Sequence, residues 1–186
     1  MNAEQRGGSL SIAIRHLDRI LGEISSLFLV LANLCLGLML FGTFATIVLR
    51  QFGMSFYWIW PWTMQFFVWM SFIGFFVVYR LGKDIAVDFL VMHIGLAARK
   101  FTRFAVPVLI IIVMVSILRE MPLILASQVG VIDGVVTPWG ELERYTLSVP
   151  LAVSCFLIFL NAVLDILKAV AGMPEPLPSH LTDPDT

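Results

Sequence analysis

The sequence predicts an all-α integral membrane protein with four transmembrane helices, amphipathic interfacial helices beside them, and both termini in the cytoplasm. Three observations carry that expectation. Of 186 residues, 59% are hydrophobic and only 13% are charged, and mean hydropathy is +0.93. A soluble domain carries about twice that share of charge, and one of this size has too much surface per volume to hide so much apolar area. Apolar runs of membrane length also alternate with short charged segments, and the basic residues fall mostly into alternate segments.

The elements follow in order. In segment 10–23, Leu10, Ile14, Leu17, Leu21 and Ile24 recur at steps of three and four, with Arg15, His16, Asp18, Arg19 and Glu23 between them. This is an amphipathic helix, expected on the inner surface and running into the first span. The first span, 24–49, is free of charge; at about 1.5 Å per residue it reaches about 39 Å, so it tilts or overhangs a core of about 30 Å. The next charge-free run, Gln51 to Tyr79, is too long for one crossing. Its first ten residues read as an interfacial connection, and Pro61 suits the first turn of a second span at 60–80. Gly82 then reads as a helix C-cap, and Lys83, Asp84 and Asp88 open a second interfacial helix, 84–100. On that helix Asp84, Asp88, Gly95 and Arg99 form one narrow stripe. The third span, 103–125, must extend past Arg119 and Glu120 to cross, because the apolar run Phe104 to Leu118 is short. The fourth span, 145–165, is close to one membrane thickness. Residues 172–186 carry four prolines and no apolar periodicity, so a disordered cytoplasmic tail is expected. The N-terminus does not read as a signal peptide, because its first apolar run is too long and begins too late.

Charge sets the orientation. Arg6, Arg15 and Arg19, the cluster Arg80, Lys83, Arg99, Lys100 and Arg103, and Lys168 fall on one side. Arg50, Arg119 and Arg144 fall on the other. The positive-inside rule places the first set, and both termini, in the cytoplasm. Trp58, Trp60, Trp62 and Trp139 then lie near the outer interface, as an aromatic belt requires.

Composition also excludes functions. A net charge of −1 with scattered basic residues gives no footprint for nucleic acid. Cys35 and Cys155 are isolated in apolar runs, so neither a disulfide framework, a zinc site nor a thiol oxidoreductase is indicated. His16, His93 and His180 all lie outside the spans, where they are of no use as axial haem ligands. No cofactor, metal or enzymatic activity is expected. The charge-free runs of the first, second and fourth spans hold no Asp, Glu, Lys, Arg or His. A chain that conducts a charged solute usually places such groups at membrane depth, so this one is not expected to line a pathway alone.

The remaining polar residues have two readings each. Arg119 and Glu120 are either an interfacial charge pair, near Pro122, or a charge at the edge of a partner's pathway. Asn33, Gln65, Ser71, Ser154 and Asn161 lie within spans, where such groups bridge helices for about 0.6 to 2 kcal/mol each; the other reading is ligand contact. Arg80 is placed to pair with Asp84 or Asp88 and fix the angle of an elbow after the second span.

The tract from Trp58 to Arg103 resembles the small membrane (Q, or DctQ-type) subunit of tripartite ATP-independent periplasmic (TRAP) transporters. That family has a tryptophan-rich start to its second span, an apolar helix ending in Arg, and then a pattern close to Arg-x-Gly-x-His-[Ile/Val]-x-Val-Asp. Arg80, Gly82, Ile85, Val87 and Asp88 match it. Asp84 stands where the family often has histidine, and Thr63-Met64-Gln65 where it often has a carboxylate. The four spans and Thr137-Pro138-Trp139 before the last one fit as well, so the likeness covers roughly residues 10–168. It implies a multi-pass protein of the bacterial inner membrane. Its implied partners are a large TRAP membrane subunit, which carries solute and sodium sites, a periplasmic solute-binding protein, and the lipid bilayer. The small subunit would brace the large one during uptake of a small, carboxylate-bearing solute. Arg80, Gly82, Asp84 and Asp88 would form the elbow or subunit contact. Trp139, Glu141, Glu143 and Arg144 lie on the side where the binding protein would dock. The alternative, a self-sufficient homo-oligomeric transporter or channel, needs a polar pore stripe that the spans do not offer.

Overall fold

A computed structural model describes the backbone of residues 2–94, 96–138 and 140–171, and the side chains of 12–81, 104–138 and 140–171. The described residues are about 82% helical. Helix α1 spans Asn2–Gln51, α2 Ile59–Ile94, α3 Leu96–Ser127 and α4 Val149–Val170. A two-stranded antiparallel hairpin, β1 (Val131–Thr137) and β2 (Gly140–Glu143), and a 3-10 turn, Arg144–Leu147, lie between α3 and α4. All four helices are long and apolar enough to cross a membrane, over 12–51, 59–81, 104–127 and 144–170. Helices suit that environment because each closes its own backbone hydrogen bonds where no water can.

The packing of α1 is written in its sequence. Ile14, Leu21, Phe28, Cys35 and Gly42 recur every seven residues, with Asp18, Ser25, Ala32 and Met39 between them, and all are buried or half-buried. A seven-residue repeat keeps one seam facing one neighbour, and α1 packs mainly on α2. Gly42 lets the two backbones approach: a Cβ there would sit 3.0 Å from Thr63 Oγ1. On α3, Pro107, Met114 and Met121 are buried at the same spacing, and α3 lies mainly on α4. Helix α4 also packs on α2, so α2 and α4 form the middle of a flattened bundle with α1 and α3 at its edges. Phe76, Cys155, Ile158 and Leu164 fill the centre, with Ile14 and Leu21 of α1 packed against them. Large apolar side chains such as Val30, Phe41 and Phe44 of α1, and Leu109, Ile112 and Leu123 of α3, face outward.

Two segments differ from the sequence expectation. Segment 10–23 is the first part of one unbroken helix with the first span, and its apolar face closes on the bundle through Ile14 and Leu21 instead of lying apart on the membrane surface. The backbone does not turn at Gly82; α2 stays helical to Ile94, since a glycine inside a helix costs only about 1 kcal/mol against alanine. Accordingly 84–100 is not a separate helix; it divides between α2 and α3. Helix α3 continues through Arg119, Glu120 and Pro122 to Ser127. The stretch after it folds into strands: Val131, Ile132, Val135, Val136 and Thr137 favour extended backbone, and Gly130, Gly134 and Gly140 supply positive φ at 105°, 83° and 129°. The pairing joins Val131 to Glu143 and Thr137 to Gly140, with an irregularity between. The expected tail, 172–186, lies outside the described residues.

Candidate functional site

A cluster of charged and polar groups lies at the end of the bundle away from the hairpin. There α1 contributes Asp18, α2 contributes Tyr79 and Arg80, and α4 contributes Asn161, Asp165 and Lys168. Each position follows from helix geometry. Asp18 falls on the α1 seam, between Ile14 and Leu21. Asn161, Asp165 and Lys168 are spaced four and three apart, on one face of α4.

Arg80 is the centre of this cluster. Its Nη1 donates to Asn161 Oδ1 at 2.7 Å. Its Nη2 donates to the Asp18 backbone carbonyl at 3.0 Å and to Asp18 Oδ1 at 3.1 Å. The guanidinium fork thus joins three helices, a geometry that a lysine cannot copy. Lys168 Nζ meets the same Asp18 oxygen at 2.8 Å. Asn161, fully buried, donates from its Nδ2 to Asp165 Oδ2 at 3.2 Å. Tyr79 stands beside Asn161 and Asp165. Two cations and two carboxylates balance, which offsets the cost of holding charge at the bundle end. The Arg80 side chain is 18% exposed and that of Asp18 38%, so the cluster is only partly withdrawn from solvent.

Two further bonds tie α2 to α4 and its leading turn. Ser154 Oγ donates to the Phe72 carbonyl, and Trp69 Nε1 donates to the Thr146 carbonyl at 3.0 Å. Contacts therefore run in step along both helices, and polar side chains on the α2–α4 seam are used in joining them.

At the other end, Arg144 holds the hairpin closed. Its backbone N–H donates to Gly130 O at 3.0 Å and its Nε to Val131 O at 3.1 Å. Glu141 and Glu143 are exposed on β2. Gly134 rests on α2 so closely that a Cβ would lie 2.8 Å from Pro61 Cγ.

The candidates named from sequence separate into groups. Arg80 and Asn161 come together, with Asp18, Asp165 and Lys168 added by the fold. The side chains of Asp84 and Asp88, and all of Trp139, lie outside the described residues, and Gly82 is helical within α2. Arg119 and Glu120 are exposed on α3, as is Asn33 on α1. Gln65 is buried, 2% exposed, and its Nε2 has no hydrogen-bond partner among the described residues. Asp18 was missed as a site residue, although a carboxylate on an apolar seven-residue seam is the signal that finds it.

Four apolar helices of membrane length, tied at one end by a charge-balanced cluster and capped at the other by a hairpin, define a multi-pass membrane protein. The chain belongs to the family of the DctQ component of tripartite ATP-independent periplasmic transporters, whose family model matches residues 39–172. It is a component of a transporter in the inner membrane, not an enzyme. No curated protein and no solved structure matched the chain.

Proposed function

We propose that this chain is a fixed frame for the large membrane subunit of its transporter, in sodium-coupled, binding-protein-dependent uptake of a small carboxylate-bearing solute. The observation that carries this reading is the cluster around Arg80. Its polar groups bond one another across α1, α2 and α4, and the charge-free runs of the first, second and fourth spans offer no Asp, Glu, Lys, Arg or His to a passing solute. A flattened bundle with wide apolar faces suits bracing better than conduction. Both termini lie in the cytoplasm in this reading, with the Arg80 cluster at the inner end. Gly82, Asp84 and Asp88 follow Arg80 along α2 and carry the contact with the large subunit. The outer-loop set Trp139, Glu141, Glu143 and Arg144 carries the contact with the binding protein.

Co-purification tests the bracing role. Arg80→Ala is expected to lower both the yield of the two-subunit complex and its uptake, with Arg80→Lys recovering only part. An unchanged complex with unchanged uptake would remove Arg80 from the frame.

A further inference from the structure

The groove at the hairpin end is not explained by bracing. It has a volume of about 380 Å³ and opens between the first turns of α2 and the hairpin. Trp60, Pro61, Met64 and Val68 form its α2 wall and Ile132 its β1 wall. Two polar side chains line it: Gln65 and Asp133. Gln65 is 2% exposed, and its amide Nε2 lacks an acceptor among the described residues. A buried donor left without an acceptor costs about 1 to 3 kcal/mol, so an occupant that brings an oxygen is favoured. One water fills about 30 Å³ and leaves the apolar walls uncovered.

The order of groups along α2 identifies the occupant. Asp133, exposed on the hairpin, lies beyond the end of the span and attracts a cation. Gln65 lies about 9 Å along α2 from Ile59, where the span begins. Past the groove, Phe75 is half exposed, seven residues beyond Val68 and therefore on the same side of α2. A carboxylate, then an amide donor, then an apolar wall mirror an ammonium, then a phosphate or ester oxygen, then acyl chains. Trp60, 65% exposed, adds an aromatic face at headgroup level. Because Gly134 sits directly on Pro61, the rim is fixed and the groove does not close on itself. We propose that this groove binds one phospholipid whose headgroup carries a primary ammonium. The ammonium lies at Asp133, a phosphate or ester oxygen accepts from Gln65 Nε2, and the acyl chains run down α2.

Native mass spectrometry on the full chain co-purified with its large subunit tests this directly. The complex is incubated with equal amounts of phosphatidylethanolamine and phosphatidylglycerol bearing identical acyl chains. The expected result is one retained lipid, with phosphatidylethanolamine favoured by about threefold, as suits an exposed ion pair. Asp133→Asn brings that ratio to one. Gln65→Leu lowers retention of both lipids by about fivefold. Equal retention of the two lipids by the native chain, a preference that survives Asp133→Asn, or a retention that Gln65→Leu leaves unchanged, would overturn the proposal. So would capture of the large subunit or the binding protein, in place of lipid, by a photocrosslinker at Met64→Cys.

Discussion

Arg80 is the residue on which three helices converge, so its removal has a distinctive signature. Arg80→Ala leaves the Asn161 carboxamide oxygen without its donor, while Asp18 keeps Lys168. A hydrogen bond to a charged group contributes about 1.5 to 3 kcal/mol, and the partial exposure of the Arg80 side chain, 18%, argues for the lower part of that range. A thermal melt of the purified chain should show the drop. Asn161→Leu breaks the same link from the other side, so the double variant should lose clearly less than the two single losses combined. Additive losses would mean that the two residues act independently. Arg80 and Asn161 are both visible in the sequence as polar groups at the margins of apolar spans. Their pairing is not, because Asn161 lies 81 positions further along the chain and only the parallel course of α2 and α4 brings them together. Asp18 is the instructive miss: its charge reads as one face of a surface helix until the seven-residue seam from Ile14 to Gly42 is traced through it.

Between elements, the seams and the hairpin make separate predictions. Gly42→Leu forces bulk against Thr63 and Ile59, where even a Cβ is tight, and overpacking of that kind costs about 1 to 3 kcal/mol. Crosslinking between cysteines placed on facing positions of α1 and α2 should fall accordingly. Gly134→Ala combines a positive φ with a clash against Pro61, so it should lift the hairpin from α2. Faster proteolysis within 130–143, with the helices still protected, is the expected readout; an unaltered cleavage pattern would place the hairpin's anchor elsewhere, in Arg144 and its bonds to Gly130 and Val131. The four helices are legible from composition because hydrocarbon demands long apolar helices and little else competes. The hairpin is harder to read. Its Val- and Ile-rich strands resemble the edge of an apolar span, and only the glycines at 130, 134 and 140 separate the two. The unbroken backbone at Gly82 is hard for the same reason in reverse: a glycine after an apolar run serves equally as a cap or as one more helical residue.

At the scale of the molecule, the charge-free runs of α1, α2 and α4 leave the bundle centre without a charged side chain, while the Arg80 cluster sits at one end and Arg119 and Glu120 are exposed on α3. That division is what a supporting subunit needs: rigidity from an internal tie at one end, broad apolar faces for lipid and a larger partner, and no route of its own for a charged solute. The decisive measurement is solute uptake driven by a sodium gradient in proteoliposomes, always with the binding protein present, comparing this chain alone, the large subunit alone, and the two together. The frame predicts uptake only when both membrane chains are present. Uptake by this chain alone would contradict it and turn attention to the polar residues at membrane depth, Asn33 and Gln65 first.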